Sequence, residues 1–283
     1  MFKISKNIFK NVYLSHKIIS SSYNPKLLYS DMCKVYEKSF QVHPGFGNIN
    51  LKSNCYCIVL PADPQLFPDS NHVQVVVWRK SVENVDPKVN IEISGNKDYI
   101  RAEIEAASLE YLCQLFIPFK YDVEAVMENA APLDVENLES DEINITSSKG
   151  SVKAKNIKTE QLSVTMKEAS LSLDGAFQGN LNVNAKKLNF RAKRLQGTNL
   201  FIQASSLETD IESSYMTNGN IFAERGNLNI KNLHGSTYLH LLKGNLSVNG
   251  LHGTLQTIVN EGKLDVHINE VIEDSLIQLE KGI

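Results

Sequence analysis

The second half of the chain consists of short stretches in which apolar and polar residues alternate. Residues 170–173, 180–183 and 199–202 are examples, and such stretches arrive every nine or ten positions, separated by glycine or a polar pair. Alternation with a period of two is typical of β-strands that bury one face. The pattern therefore predicts many short strands and no long helix in this half of the chain.

A fixed interval of 18 positions overlies this alternation. Gly226, Gly244 and Gly262 each begin the pattern glycine, polar, leucine, polar, valine or isoleucine. The triplet at residues 233–235 (Leu-His-Gly) returns at residues 251–253, at the same interval. Such a period indicates stacked coils that bury their apolar faces against one another. We therefore predict a β-solenoid of about 18 residues per coil over residues 133–283, with Asn227 stacked on Asn245.

The first half of the chain is also predicted to be β-structure, but without a regular interval. Residues 72–78, 88–93 and 111–117 alternate or run apolar, and prolines interrupt the segments between them. We assign residues 36–132 to an irregular, β-sandwich-like N-terminal domain. The fold class is thus all-β, with the solenoid following this domain. At its end, Ile272, Leu276 and Leu279 have helical spacing and could form a cap.

The left-handed hexapeptide helix, which is used by many acyltransferases, has the same period. It requires an aliphatic residue at every sixth position. Stepping by six from Leu228 to Leu264 meets three histidines, His234, His240 and His252. These would fill the corners poorly, so this helix and its acyltransferase activity are rejected.

Residues 1–30 contain five lysines and no acidic residue. On a helix, Lys3, Lys6, Lys10 and Lys17 would share one narrow sector opposite an apolar arc. A basic, amphipathic and acid-free start predicts a mitochondrial transit peptide and a location in the matrix. The leader lacks arginine, however, and a disordered tail is the alternative.

Composition excludes several classes of function. A net charge of −3 gives no basic surface of the kind that nucleic acid requires, and no apolar stretch reaches the length of a membrane-spanning helix. Motifs for nucleotide, zinc or nucleophilic chemistry are absent, so no cofactor is predicted. The four cysteines, Cys33, Cys55, Cys57 and Cys113, are expected to be reduced and buried.

The repeated glycine, polar, apolar pattern follows a segment that reads Leu-Phe-Ile-Pro at residues 115–118 and Tyr-Asp-Val-Glu-Ala at residues 121–125. Over residues 36–283 the chain resembles the putative-adhesin β-solenoid domain of unknown function. More narrowly, it is similar to the animal family with sequence similarity 185. That resemblance implies a mitochondrial location, but it implies neither an activity nor any catalytic residue.

The strongest candidate for chemistry is a column made by His234, His252 and Glu270, which recur at the interval of the glycines. Two imidazoles and a carboxylate could bind zinc or iron, although a column two coil steps long suits one small ion poorly. Surface histidines without a special role are the preferred interpretation. Asp174, Asp210 and Asp265 do not share a phase, which argues against the aligned carboxylates of β-helix hydrolases.

One basic cluster could contact an acidic partner or an anionic lipid surface; it comprises Lys186, Lys187, Arg191, Lys193 and Arg194. The leading hypothesis is a non-enzymatic mitochondrial protein that binds an unidentified protein partner or acts as a scaffold. The alternative is a secreted or surface carbohydrate-binding adhesin, or an enzyme on a β-helix. Glycan attached to the sequons at Asn144 or Asn245 would indicate export.

Overall fold

The computed structural model describes residues 32–80, 85–272 and 274–282, and within these ranges the regular structure is entirely β. The predicted all-β class is confirmed. Twelve strands follow one another in the order β1 (Cys33–Gln41), β2 (Asn48–Ser53), β3 (Tyr56–Pro61), β4 (His72–Arg79), β5 (Lys88–Ile93), β6 (Tyr99–Glu105), β7 (Tyr111–Ile117), β8 (Asp122–Met127), β9 (Leu133–Glu136), β10 (Glu139–Ile211), β11 (Ser214–Val271) and β12 (Leu276–Gly282). The leader at residues 1–30 lies outside the described residues.

All twelve strands belong to one sheet. Its order is β1-β4-β7-β3-β9-β10-β8-β2-β6-β5, and β11 pairs with both β10 and β12. Strands β1, β4 and β7 pair antiparallel at one end of this path, and so do β5 and β6 at the other. The remaining pairings between the described strands are parallel.

The predicted β-sandwich-like N-terminal part is not a separate pair of layers. Leu133 pairs with Val152 on one side and with Cys57 on the other, and Val123 pairs with Ile143. Parallel pairing therefore runs without interruption across the predicted boundary between residues 36–132 and residues 133–283. The irregular spacing in the sequence reflects loops of different length between strands of a common sheet.

The two longest elements are far longer than a straight strand, because the chain returns alongside itself in parallel register. Leu195 pairs with Ser214 and Ile211 pairs with Ile230, so each residue lies beside the one 19 positions later. Between β8 and β10, and again between β11 and β12, paired residues are 20 positions apart. We call each of these returns a circuit.

The glycines of the repeated pattern lie where consecutive circuits approach most closely. A Cβ added to Gly244 would lie 1.8 Å from the carbonyl oxygen of Gly226, and a Cβ added to Gly262 would lie 1.7 Å from that of Gly244. Both residues have φ values, +143° and +149°, that favour glycine. The predicted stacking of Asn227 and Asn245 is confirmed, because Asn245 Nδ2 donates to Asn227 Oδ1 at 2.7 Å.

One continuous hydrophobic core runs from Val42 to Val259, inside the circuits. Its largest fully buried side chains include Tyr121, Phe177 and Phe190. Over much of β10 and β11, buried and exposed residues alternate, so alternate side chains point into this core and their neighbours point outward. The outward positions are therefore free to differ from circuit to circuit, and any binding site must be built from them.

The cysteines are free in the structure, as expected from their spacing. Cys55, Cys57 and Cys113 are fully buried, whereas Cys33 is exposed, so the prediction of burial is wrong for that residue. A hydrogen bond with the Cys57 thiol, together with burial, raises the pKa of Cys55 far above its usual range. Both effects keep the buried thiols protonated and unreactive.

The predicted helical cap is wrong. Leu276 and Leu279 lie in β12, which pairs in parallel with residues 256–262 of β11. Backbone hydrogen bonding to the preceding circuit thus overrides the helical spacing. Ile272, Leu276 and Leu279 are 68%, 53% and 39% exposed. In the parts of the chain that are described, no helix has the length and apolarity needed to cross a membrane.

Candidate binding groove and histidine column

Register between circuits places outward side chains above one another along the stack. Gln203 pairs with Phe222, and Ser206 pairs with Arg225, at the spacing of neighbouring strands, about 4.8 Å. The outward side chains of neighbouring circuits thereby form a regular grid on the surface. A shallow groove of about 300 Å³ lies on this grid.

The groove is lined by both polar and apolar side chains. Its polar side chains are an amide pair, a hydroxyl, a carboxylate and an imidazole, from Asn184, Gln203, Ser205, Glu224 and His240. Phe222 and Leu242 contribute the large apolar surfaces, and Leu242 is 44% exposed. Three buried alanines, one from each of three circuits, complete the lining.

Hydrogen bonds position several of these polar groups. Ser205 Oγ donates to Glu224 Oε1 at 3.2 Å. His240 Nε2 lies 3.0 Å from Asn260 Oδ1, and Asn260 Nδ2 donates to Glu280 Oε2 at 2.7 Å. His240 is therefore oriented by its contact with Asn260, which is itself bonded to Glu280. Asn184 and Gln203 are exposed residues.

Phe222 lies between two other aromatic rings. Its centroid is 6.0 Å from that of Phe201 and 5.5 Å from that of Tyr238, with interplanar angles of 48° and 46°. Tilted contacts of this kind are favourable and hold the central ring in place. The half-buried Phe222 ring is thereby presented to the groove as a fixed apolar surface.

The histidines singled out in the sequence lie together in the structure, outside the groove lining. The rings of His234 and His252 are parallel to within 5°, with centroids 4.8 Å apart. Tyr215 stacks on His234 at 4.5 Å, and the Arg194 guanidinium lies 5.6 Å from the Tyr215 ring. We call Arg194, Tyr215, His234 and His252 the histidine column.

The geometry of the histidine column differs from that of a metal site. The lone pair of an imidazole nitrogen lies in the ring plane, so two parallel rings do not direct their nitrogens at one ion. Asn269 Nδ2 donates to His252 Nε2 at 2.9 Å, and His252 Nδ1 lies 3.9 Å from Glu270 Oε2. No group of three or more histidine, cysteine or acidic residues suited to a metal ion occurs within the described ranges.

The histidine column predicts that stability depends on pH. Burial lowers the pKa of His234, and the charge of His252 lowers it further. Because the unfolded chain then binds a proton more readily than the folded one, the contribution of His234 is present above about pH 6.5 and is lost as pH falls through the lower folded pKa. The contribution of His234 to the unfolding free energy, measured by urea denaturation, should therefore decrease on acidification from pH 7 to pH 5.

Replacing His234 by phenylalanine keeps a ring in the stack and removes the titrating group. We expect His234→Phe to flatten the dependence of the unfolding free energy on pH between 5 and 7. His267→Phe, at an exposed position outside the histidine column, is the matched control and should leave the profile as it is. An unchanged profile in His234→Phe would contradict this assignment.

The basic cluster is divided among different neighbours. Lys193 Nζ lies 3.6 Å from Asp174 Oδ1, whereas the adjacent Arg194 contacts the Tyr215 ring. Lys186, Lys187 and Arg191 are exposed. Exposed and buried positions alternate over residues 187–193, so Lys187, Arg191 and Lys193 point outward from the same side of the strand.

Two of the three carboxylates considered as hydrolytic groups, Asp174 and Asp210, are engaged with nearby basic or amide groups. Asp174 accepts Lys153 at 3.3 Å in addition to Lys193. Asp210 accepts Asn229 Nδ2 at 2.9 Å, and Lys231 lies 4.0 Å away. These contacts join neighbouring circuits on the outer surface, where exposed pairs contribute little to stability.

Searches against known proteins give structural neighbours, and no family model matches the chain. It is similar to a putative adhesin from Parabacteroides distasonis, with 12% identity, a TM-score of 0.46 and coverage of 88% of this chain and 96% of the other. A putative adhesin from Parabacteroides merdae has 15% identity, a TM-score of 0.35 and coverage of 90% and 97%. A protein from P. distasonis described as a putative lipid binding protein has 10% identity, a TM-score of 0.31 and coverage of 90% and 98%.

These neighbours contradict the mitochondrial location predicted from the leader. They are bacterial proteins described as putative adhesins or, in Clostridium sporogenes, as a putative cell adhesion protein. The resemblance to putative adhesins is supported in fold. The narrower resemblance to the animal family with sequence similarity 185 has no support among them.

Proposed function

We propose that the chain is a secreted or surface-exposed binding protein of the adhesin type, that its circuits form a β-solenoid, and that the groove at Phe222 is its binding site. The groove carries this proposal, because it combines fixed apolar surface with several hydrogen-bonding groups on an otherwise solvated outer face. Binding sites of small molecules share this composition, and their volumes begin at about 300 Å³.

We also propose that the protein binds its ligand without catalysing a reaction on it. Glu224 is the carboxylate in the groove lining, and its Oε1 accepts a hydrogen bond from Ser205. Hydrolysis of a glycosidic bond commonly requires two carboxylates facing each other across the bond. A groove with one carboxylate, amides and an aromatic ring favours recognition over catalysis. An adhesin-type role also replaces the mitochondrial scaffold as the leading hypothesis.

The location is tested by labelling the surface of intact cells. Cells expressing the chain with its own N-terminus and a C-terminal tag are treated with a membrane-impermeant biotin reagent before and after permeabilisation. We expect labelling of intact cells, whereas a tagged cytosolic protein, the control, should label only after permeabilisation. Labelling of the chain only after permeabilisation would overturn the surface role.

Binding is tested separately with purified protein coupled to beads. Wild-type beads should adhere to cell surfaces, and beads carrying Phe222→Ala should adhere less. Phe46→Ala, which alters an exposed ring remote in sequence from the groove, is the matched control. Equal adhesion of wild-type and Phe222→Ala beads would contradict the proposal that the groove is the binding site.

A further inference from the structure

We propose that the ligand of the groove is an uncharged saccharide, held with its apolar ring face against Phe222 and its hydroxyl groups on the surrounding polar side chains. This inference rests on the proposed function and specifies the ligand class of the same site. It follows from the chemical character of the lining, from the charges that the lining contains and from the arrangement of its rings.

Hydroxyl groups of a sugar both donate and accept hydrogen bonds, so a matching site must offer both kinds of partner. The amides of Asn184 and Gln203 each provide a carbonyl acceptor and two N–H donors. Glu224 adds a carboxylate acceptor, and the hydrogen bond from Ser205 fixes its position. These groups come from three consecutive circuits, so they are spread along the groove at about the strand spacing.

The apolar part of the groove matches the apolar C–H face of a sugar ring. A pyranose presents C–H groups on one face, and such a face packs against an aromatic ring. Phe222 supplies that ring, and its contacts with Phe201 and Tyr238 fix it before the ligand arrives. Leu242 extends the apolar surface at the groove margin. A preorganised ring lowers the ordering cost of binding.

The charges of the lining argue against an anionic ligand. Glu224 is the acidic residue of the lining, and the lining contains no lysine or arginine. A phosphate or sulfate group would therefore meet a carboxylate without a compensating cation. An acyl chain is disfavoured for a different reason, because it would cover Gln203 and Asn184 without replacing their hydrogen bonds to water.

The test uses the purified full-length chain on an array that carries neutral, sialylated and sulfated glycans, followed by titration calorimetry of the glycans that bind. We expect binding to neutral glycans. Phe222→Ala and Gln203→Ala should each weaken it about five- to tenfold, since an aromatic contact or a hydrogen bond is worth about 1–1.5 kcal/mol. Phe46→Ala and Gln178→Ala, at exposed positions outside the groove lining, should bind as wild type does.

Circular dichroism and the melting temperature of each variant establish that the fold is kept. Absence of any neutral glycan among the ligands, or binding that neither groove variant weakens, would overturn the saccharide assignment. Preference for sulfated or sialylated glycans would overturn it as well. If bead adhesion then still depended on Phe222, the proposed function would stand with a peptide or another ligand, so the two failures are distinguishable.

Discussion

Gly244→Ala is expected to lower the unfolding free energy by at least about 3 kcal/mol, or to prevent folding, because the added methyl group has no room. Its Cβ would lie 1.8 Å from the carbonyl oxygen of Gly226, and the φ of +143° disfavours any side chain. The obstacle is backbone, not a movable side chain. Relief therefore requires two circuits to separate, which breaks parallel hydrogen bonds between them.

The matched control is Gly95→Ala. A Cβ there meets no atom within 4 Å, and the backbone is outside the left-handed region. Urea denaturation of both variants and of wild type measures the difference, and Gly95→Ala should change the unfolding free energy by no more than about 0.5 kcal/mol. Similar unfolding free energies for the two variants would contradict the conclusion that close stacking of the circuits requires glycine at residue 244.

Phe190→Ala is expected to lower the unfolding free energy by about 3–5 kcal/mol, which is the second large effect. Phe190 is 0% exposed and lies in β10, within the core that all circuits share. Removing its ring loses the transfer free energy of the buried atoms and leaves a cavity. Neighbouring circuits cannot close over that cavity easily, because their spacing is set by backbone hydrogen bonds.

Phe46→Ala makes the same chemical change at a residue that is 62% exposed, and it should cost less than about 1 kcal/mol. Its ring centroid lies 4.2 Å from that of His43, so a small loss is expected. Denaturation curves for both variants should have similar slopes if both remain cooperative. A loss at Phe190 no larger than at Phe46 would contradict the single continuous core.

The sequence alone predicts the all-β class and the stacking of the last circuits. Gly226, Gly244 and Gly262 repeat at a constant interval, and the structure places each against the circuit before it. Asn227 and Asn245 stack for the same reason. His234 and His252 also stack, as their equal interval predicts.

The groove could not be predicted in this way, because the circuits differ in length. An interval of 18 positions would place Phe222 beside Ala204, which points into the core, whereas the residue that pairs with Phe222 is Gln203, 19 positions earlier. In a strand, an error of one position exchanges the inner and outer faces. A fixed interval therefore assigns the wrong neighbours on the outer surface.

The histidine column shows the same limit. Tyr215, which stacks on His234, precedes it by 19 positions, but a step of 18 gives Met216, which is buried. Allowing the interval to vary between 18 and 20, and requiring buried residues to remain aligned, would have found both Tyr215 and the groove. The helical cap predicted from the spacing of Ile272, Leu276 and Leu279 is wrong for a different reason. Parallel pairing with β11 determines the conformation of β12.

The parallel stacking of circuits has a mechanical consequence. Because the hydrogen bonds of a sheet lie across its strands, tension applied along the stack loads the bonds between one circuit and the next. The outermost circuit should detach first, and each detachment releases about 18 to 20 residues, which extend to about 60–70 Å. Under load, such a stack would lengthen in steps of that size and dissipate work at each step.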